Sequence, residues 1–347
     1  MAASIQPPGG FLMKRRILFG IGLLLSVFFL WLSFRGTEFG EIFRALRSDT
    51  NFWYAIPFVA GLLSFCWLKA LRWSCLLSAS GPNQLKEYYA AVLIGYTGNL
   101  VLPAQMGELV RIYVLSKRLS TPVVPVFTSI ALERIFDLMV MLIFLIVAMF
   151  LSEDTLQWMN TLGVALFAMV LCGMSVCYVY VTHTPFVLRI VAKIIGFFPP
   201  NWQTRVLGAV EQGALGIGAL RNPALLFWVL VTSCLMWAAM VVCTYLSMSA
   251  VGIDLPVTAA IFTFAVIIGG MMLPASPGFI GTIQFCFVLV LGGYGISKDQ
   301  AIAASFYYHV LITIPILIVG YGLALKMGFT TSEVRREASE LGTGEAR

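Results

Sequence analysis

Five ionisable residues interrupt stretches that are otherwise apolar: Glu108 with Arg111, and Glu133 and Arg134 with Asp137. Charges inside apolar spans are costly and default to functional candidates. Arg111 carries a planar fork that holds a phosphate through parallel hydrogen bonds, which makes it the candidate for a lipid phosphate. A salt bridge to Glu108, or a charge anchoring a helix end at the interface, accounts for the same residue. Glu133 and Asp137 are i, i+4 on a helix and share a face, with Arg134 three residues before Asp137. The triplet either tunes the charge around a bound headgroup or forms an internal ion pair locking its helix to a neighbour.

The first pair lies at a helix breaker that the chain carries twice. Leu102-Pro103-Ala104-Gln105-Met106-Gly107-Glu108 is matched by Leu273-Pro274-Ala275-Ser276-Pro277-Gly278-Phe279. Pro103 and Pro274, like Gly107 and Gly278, are 171 positions apart. A Pro without an N–H and a Gly four residues later do not continue a helix. In hydrocarbon such a break survives only where the freed backbone groups are buried in protein or face a wet cavity. Matching breaks in two halves of a chain point to a transporter's substrate site.

Pro277, Gly278 and Gly281 belong to the second break, and Asn99 is placed to cap the backbone of the arm before the first. In the second half the matching positions are nearly uncharged: Phe279, Thr282 and Gln284. After a five-residue insertion the offset becomes 176, which sets Ser305 against Ser129 and His309 against Glu133. A His there is either a satisfied core residue or a proton-linked or phosphate-contacting group. The candidate substrate-binding set is therefore Asn99, Gln105, Glu108, Arg111, Glu133, Arg134, Asp137, Gln284 and His309.

Hydrophobic residues make up 60% of the 347 and charged residues 11%, with a mean hydropathy of +0.92. Soluble chains are about half apolar and about a quarter charged, so this chain reads as an all-α polytopic membrane protein. The net charge of +6 is spread over loop ends and one tail, as topology determinants are, and nucleic-acid binding is not expected. Seven cysteines lie in apolar segments without metal-ligand or redox spacing and read as small buried hydrophobes. There is no Ser/His/Asp arrangement, metal spacing or Gly-rich phosphate loop. No cofactor, metal or enzymatic activity is expected.

About six full spans and two broken hairpins must position these residues. Residues 1–51 hold a first span, Ile17 to Phe34, after Lys14-Arg15-Arg16, and an interfacial helix over 38–48. Residues 52–152 form a first repeat: span 2 (Phe52 to Ala79), a broken hairpin over 86–118, and span 3 (Val123 to Leu151). Lys69 and Arg72 fall near the cytoplasmic end of span 2, where long cationic side chains can snorkel. Residues 153–222 carry span 4 (Leu156 to Val181) and a basic amphipathic segment suited to anionic headgroups, although a plain basic loop obeys the positive-inside rule equally well.

Residues 223–325 form a second repeat with its broken hairpin over 256–293, between span 5 (Ala224 to Ala250) and span 6 (Gln300 to Leu325). Residues 326–347 are a flexible cytoplasmic tail. Each hairpin arm is shorter than the ~20 residues a span needs, so the arms read as re-entrant. Counted from a cytoplasmic N-terminus, the two repeats have inverted topology, as in many secondary transporters. Both termini are expected in the cytoplasm of a bacterium, with the chain in its inner membrane.

Several motifs now coincide: Lys69-x-x-Arg72-Trp73, Asn99-x-x-x-Pro103-x-x-x-Gly107-Glu108-x-x-Arg111, Glu133-Arg134-x-x-Asp137, and Pro277-Gly278-x-x-Gly281. Together they resemble the lysylphosphatidylglycerol synthase transmembrane family, the flippase-like region of the multiple peptide resistance factor. The resemblance covers span 2 through span 6. It implies a membrane-embedded translocator that moves lipid between leaflets, with synthase activity in a separate soluble domain. Many relatives have Arg where this chain has Gln105, and Arg-Glu where it has Ile283-Gln284, which argues against a cationic or aminoacylated headgroup. The variant here resembles the stand-alone branch linked to hopanoid, glycolipid or polyprenyl-lipid pathways, and lipid aminoacylation is not expected.

The expected function is a lipid flippase or translocase moving a phosphate-bearing lipid between leaflets. Its headgroup would enter a polar pocket near mid-membrane, with a lipid-synthesis enzyme as a partner beside membrane lipids. A secondary transporter for a small anionic metabolite, or a non-transporting scaffold for a lipid-modifying enzyme, fits the same composition.

Overall fold

The structure is a computed structural model. It describes residues 50–77, 84–102, 106–151, 182–196, 222–271 and 277–329, with scattered positions between 24 and 40 and between 168 and 211. The interfacial helix over 38–48, nearly all of span 4, most of the basic segment after 196, and the tail lie outside the described residues. So do Pro103, Gln105 and Pro274.

All the regular elements among the described residues are helical. They are α1 (Ala55–Leu77), α2 (Leu85–Val101), α3 (Gly107–Leu119), α4 (Val123–Leu151), α5 (Thr184–Ile195), α6 (Pro223–Ala250), α7 (Val257–Met271), α8 (Thr282–Gly293) and α9 (Lys298–Lys326). Four of these regions are long and apolar enough to cross a bilayer: Phe52–Leu77, Val123–Leu151, Ala224–Ala250 and Lys298–Lys326. They correspond to the expected spans 2, 3, 5 and 6. The hairpin arms have 17, 13, 15 and 12 residues. At 1.5 Å per residue they reach about 18–25 Å, short of the ~30 Å hydrocarbon core. The chain is an all-α polytopic membrane protein.

Local chemistry explains the boundaries. Asn51 Oδ1 accepts the Trp53 N–H at 3.1 Å and starts the turn into α1. Ser297 caps α9 by accepting the Gln300 N–H at 3.3 Å, with Asp299 in the first turn and Lys326 in the last, both favourable to the helix dipole. Pro223 opens α6 at a position where its missing N–H costs nothing. At the second break Gly278 takes φ 72° and Gly281 φ 92°, left-handed values that glycine adopts without a Cβ penalty.

The helices gather into two compact units, Met1–Leu62 with Leu93–Val110 and Val241–Arg347, and Leu63–Val92 with Arg111–Met240. The first unit has an aromatic core in which Phe58 packs edge-on against Tyr308 at 5.7 Å and Tyr308 meets Phe287 at 5.6 Å. Small residues bring its helices close. A Cβ on Gly270 of α7 would lie 2.9 Å from Cys286 Sγ of α8, and one on Gly320 of α9 would overlap Thr97 of α2. A helix over 27–34 from the expected first span joins this unit through the Phe29–Phe285 ring stack at 4.9 Å. Lys298 Nζ also donates to the Leu32 and Arg35 carbonyls at 2.9 and 2.7 Å.

The second unit packs Leu76, Leu132, Phe136 and Val229 into a fully buried cluster joining α1, α4 and α6. Cys66, Cys243 and Cys286 are buried as expected, and Cys75 and Cys234 are half-buried. Cys172 is exposed, which corrects the expectation of uniformly buried thiols; an exposed thiol in an apolar segment can equally face lipid.

Candidate functional site

Three helices of the second unit present complementary faces at helical spacing. Lys69, Arg72 and Trp73 share a face of α1, Ser129, Glu133 and Asp137 share a face of α4, and Ser233 and Trp237 are i, i+4 on α6. Lys69, Arg72, Arg111 and Glu133 are fully buried, and Asp137 is 5% exposed. Burying a charge in an apolar medium is tolerated only when it is paired and hydrogen-bonded. All five are.

Glu133 is the hub. Arg111 grips it with both nitrogens, Nη1 to Oε1 at 3.2 Å and Nη2 to Oε2 at 3.1 Å. Lys69 Nζ pairs with Glu133 Oε1 from the other side and lies 3.8 Å from Asp137 Oδ2. Arg72 Nη1 donates to Asp137 Oδ1 at 2.6 Å and to Ser233 Oγ at 3.0 Å, while its Nη2 is 3.5 Å from Glu133. The Trp237 indole N–H donates to Asp137 at 3.1 Å.

Trp73 packs against the cluster. Its ring carries the Arg111 guanidinium at 4.3 Å, a cation–π contact, and its N–H donates to Ser129 Oγ at 2.9 Å. Ser129 in turn donates to the Val126 carbonyl at 2.7 Å. The Tyr88 ring closes edge-on over Trp73 at 5.5 Å. Arg134, on the same helix as Glu133, is 46% exposed and lies 3.8 Å from Asp137 Oδ2 at the edge of the cluster.

The breaks are held by neutral groups in the first unit. Asn99 Oδ1 accepts the Gly107 N–H at 2.8 Å, so Asn99 caps the start of the arm after the break rather than its own arm. A Cβ on Gly107 would overlap the Gly95 carbonyl, so only glycine lets the two arms approach this closely. At the second break Gln284 Oε1 accepts the Gly281 N–H at 2.7 Å, and its Nε2 lies 3.2 Å from His309 Nδ1. The first bond fixes which end of the amide is which, so Nε2 donates and Nδ1 accepts, leaving the His309 proton on Nε2. His309 also hydrogen-bonds to the Gly278 backbone. The two breaks come together at Gly278, whose Cβ position is 3.9 Å from Leu100.

At the mouth of the first hairpin, Arg118 donates to Glu87 at 2.8 and 3.0 Å. Those bonds hold the Glu87 carboxyl below the usual carboxylate range.

Residues 19–320 match the profile described as the lysylphosphatidylglycerol synthase TM region. The chain belongs to that family. Among proteins similar to this chain, the glycosyltransferase AglD of Haloferax volcanii is 26% identical over 94% of this chain and 57% of its own length. This chain thus spans little more than half of that protein. Two UPF0104 membrane proteins of Methanothermobacter thermautotrophicus are each 23% identical, one over 91% of this chain and 94% of its own length, the other over 85% and 91%. No solved structure matches.

In this member of the family, Arg111, Glu133 and Asp137 come together, joined at the edge by Arg134. Asn99, Gln284 and His309 hold the breaks, and Glu108 is half-buried in the first turn of α3. Lys69 and Arg72 correct the sequence reading: they do not snorkel. Two carboxylates on α4 offer partners inside the protein, and pairing there replaces the escape to the interface that a lone cation would need. The signal was present in the i, i+3, i+4 spacing of Lys69, Arg72 and Trp73 against the i, i+4 spacing of Glu133 and Asp137. Ser233 and Trp237 carry no charge, and nothing in their sequence context marks them.

Proposed function

We propose that the protein is a non-enzymatic lipid translocator that moves a phosphate-bearing lipid between the leaflets of a bacterial cytoplasmic membrane. The observation that carries this reading is the meeting of two helix breaks whose arms are too short to span. Broken backbone in an apolar chain is tolerated where it lines a wet or protein-filled cavity, and paired broken helices mark transporter substrate sites. Glu108 and Asn99 at the first break, and Gln284 and His309 at the second, would line the headgroup path, with the acyl chains left in lipid. Inverted repeats over 52–152 and 223–325 would exchange access between leaflets. A relative named a glycosyltransferase favours a sugar- or phosphate-bearing lipid over an aminoacylated one.

Proteoliposomes containing the purified full chain test it. Headgroup-labelled phospholipid should become accessible from the opposite leaflet faster than in protein-free vesicles, at a rate that depends on the headgroup and falls in Glu108→Gln. Equal rates with and without folded protein, across phosphate-bearing headgroups, would overturn the reading.

A further inference from the structure

Between the expected span 4 and α6 the chain carries Arg189, Lys193, Arg205 and Arg221 against a single acid, Glu211. A plain basic loop and an interfacial helix account for those charges equally well. They differ in what they do with the apolar residues in between.

The first part of this stretch is a helix. α5 takes Pro185 into its first turn, where the missing N–H costs nothing, and runs for 12 residues to Ile195. At 1.5 Å per residue it is about 18 Å long, too short to cross a hydrocarbon core. No apolar run long enough to cross follows it before Pro223, where α6 begins. α5 therefore belongs to the side of the membrane on which α6 starts. Phe227 and Trp228, exposed and packed edge-on at 5.9 Å in the first turns of α6, mark that level as the interface, where aromatic side chains collect.

At 3.6 residues per turn α5 has two distinct sides. Thr184, Val187, Leu188, Val191, Ala192 and Ile195 are half-buried and share one of them. The other side is exposed, yet not uniformly polar. Phe186, Ile190 and Ile194 stand four residues apart in a row, 49%, 43% and 64% exposed. Arg189 and Lys193 form a second exposed row, each three residues after Phe186 and Ile190, so the two rows are neighbours on the surface. Arg189 donates back to the Pro185 carbonyl at 3.4 Å, and the helix contains no acidic residue.

A solvated basic loop needs no such apolar row, and leaving one in water is unfavourable. A protein partner would have to be apolar along one edge and acidic along the other. A bilayer surface with anionic headgroups offers both at one level, on the side where α6 enters it.

We infer that α5 is a docking helix for an anionic lipid surface, with Phe186, Ile190 and Ile194 in the boundary between headgroups and acyl chains and Arg189 and Lys193 among the anionic headgroups. The long stems of the two cations lie along the neighbouring apolar row while their charged ends reach the headgroup level. The occupant is the bilayer surface and not a single enclosed lipid. The contact is separate from the helix breaks and stands whether or not the protein moves lipid.

The test uses the full chain with a genetically encoded benzophenone amino acid in place of Ile190, in nanodiscs of equal parts phosphatidylcholine and phosphatidylglycerol carrying the same acyl chains. Irradiation should give lipid adducts, with phosphatidylglycerol exceeding phosphatidylcholine by roughly fivefold, the worth of about one lysine or arginine at an anionic surface. High salt should draw the ratio toward unity, because an exposed headgroup contact is screened. Arg189→Gln combined with Lys193→Gln should do the same at low salt while lipid adducts persist. Both cations are exposed, so that variant should keep the wild-type melting temperature. The same probe in place of Leu188, on the half-buried side, should react within the chain.

Adducts in proportion to the bilayer composition at low salt overturn the inference, and so does a preference that the double Gln variant leaves unchanged. Absence of lipid adducts from position 190, or an equal preference at position 188, overturns it too. Adducts to a second copy of the chain would assign the exposed row to self-association and remove the lipid surface as its occupant.

Discussion

Arg111 and Glu133 meet through two parallel hydrogen bonds, 22 positions apart in the chain and both without solvent exposure. The contact joins the second arm of the first broken hairpin to a spanning helix, so the hairpin is held by a charge pair in a place where water cannot compete. Removing one partner strands the other. Arg111→Met or Glu133→Leu alone should destabilise the protein by about 3–5 kcal/mol. The double variant leaves the net charge of the cluster unchanged and should cost less than the sum. Thermal unfolding in detergent of the four proteins in the cycle gives the coupling, and additive single effects would remove the pair from this role.

Gly107 is required for space, not for dihedral freedom. Gly107→Ala should lose stability by roughly 1–3 kcal/mol, as overpacking does, because its Cβ would overlap the Gly95 carbonyl. Gly292→Ala, where nothing lies within 4 Å, is the matched control and should be near neutral or slightly stabilising within its helix. Comparing the melting temperatures of the two variants decides the matter.

Gln284→Leu should be worse than its size suggests. It leaves both the Gly281 N–H and His309 Nδ1 without partners in a buried site, at about 1–3 kcal/mol for each orphaned group. His309→Leu leaves the Gln284 amide N–H and the Gly278 backbone group unmet, while the double variant leaves only the Gly281 N–H and the Gly278 group, so its damage should be less than the sum of the two single variants. The same melting assay reads this difference.

Asn99→Ala should loosen the start of α3 by about 1 kcal/mol, the usual worth of a helix cap. Asn99→Asp keeps the acceptor and should retain most of the stability. Hydrogen exchange at the Gly107 amide is the direct readout, since that N–H is the one the side chain protects.

The Glu87–Arg118 pair makes a pH-dependent contribution with a defined sign. Hydrogen bonds from Arg118 lower the Glu87 carboxyl in the folded protein relative to the 4.5 of an unperturbed glutamate. The unfolded state therefore takes up the proton first, and the contribution is present above that value and lost as pH falls through the lower folded one. Arg118 is 41% exposed, so the effect is small and weakened by salt. Melting temperatures of the wild type and Glu87→Gln should converge on acidification from neutral pH to below about pH 4.

The membrane class, the four long apolar helices, the short hairpin arms and the doubled break are legible in the order of residues alone. Each of these follows from local chemistry: hydropathy over some twenty residues, a missing proline N–H, a glycine in the right place. The same order of residues also singled out Arg111, Glu133 and Asp137, because an ionisable residue in an apolar run is conspicuous wherever the chain folds, while Lys69 and Arg72, near a span end, read as snorkelling cations. Their partners were another matter. Arg111 could have turned to Glu108, three positions away, and Lys69 and Arg72 could have reached for the interface. Only the packing of α1, α3, α4 and α6 brought three cations around two carboxylates and set neutral Ser233 and Trp237 beside them. Tertiary structure decided that arrangement because a buried charge takes whichever opposite charge the fold brings within reach, and sequence distance does not measure that reach.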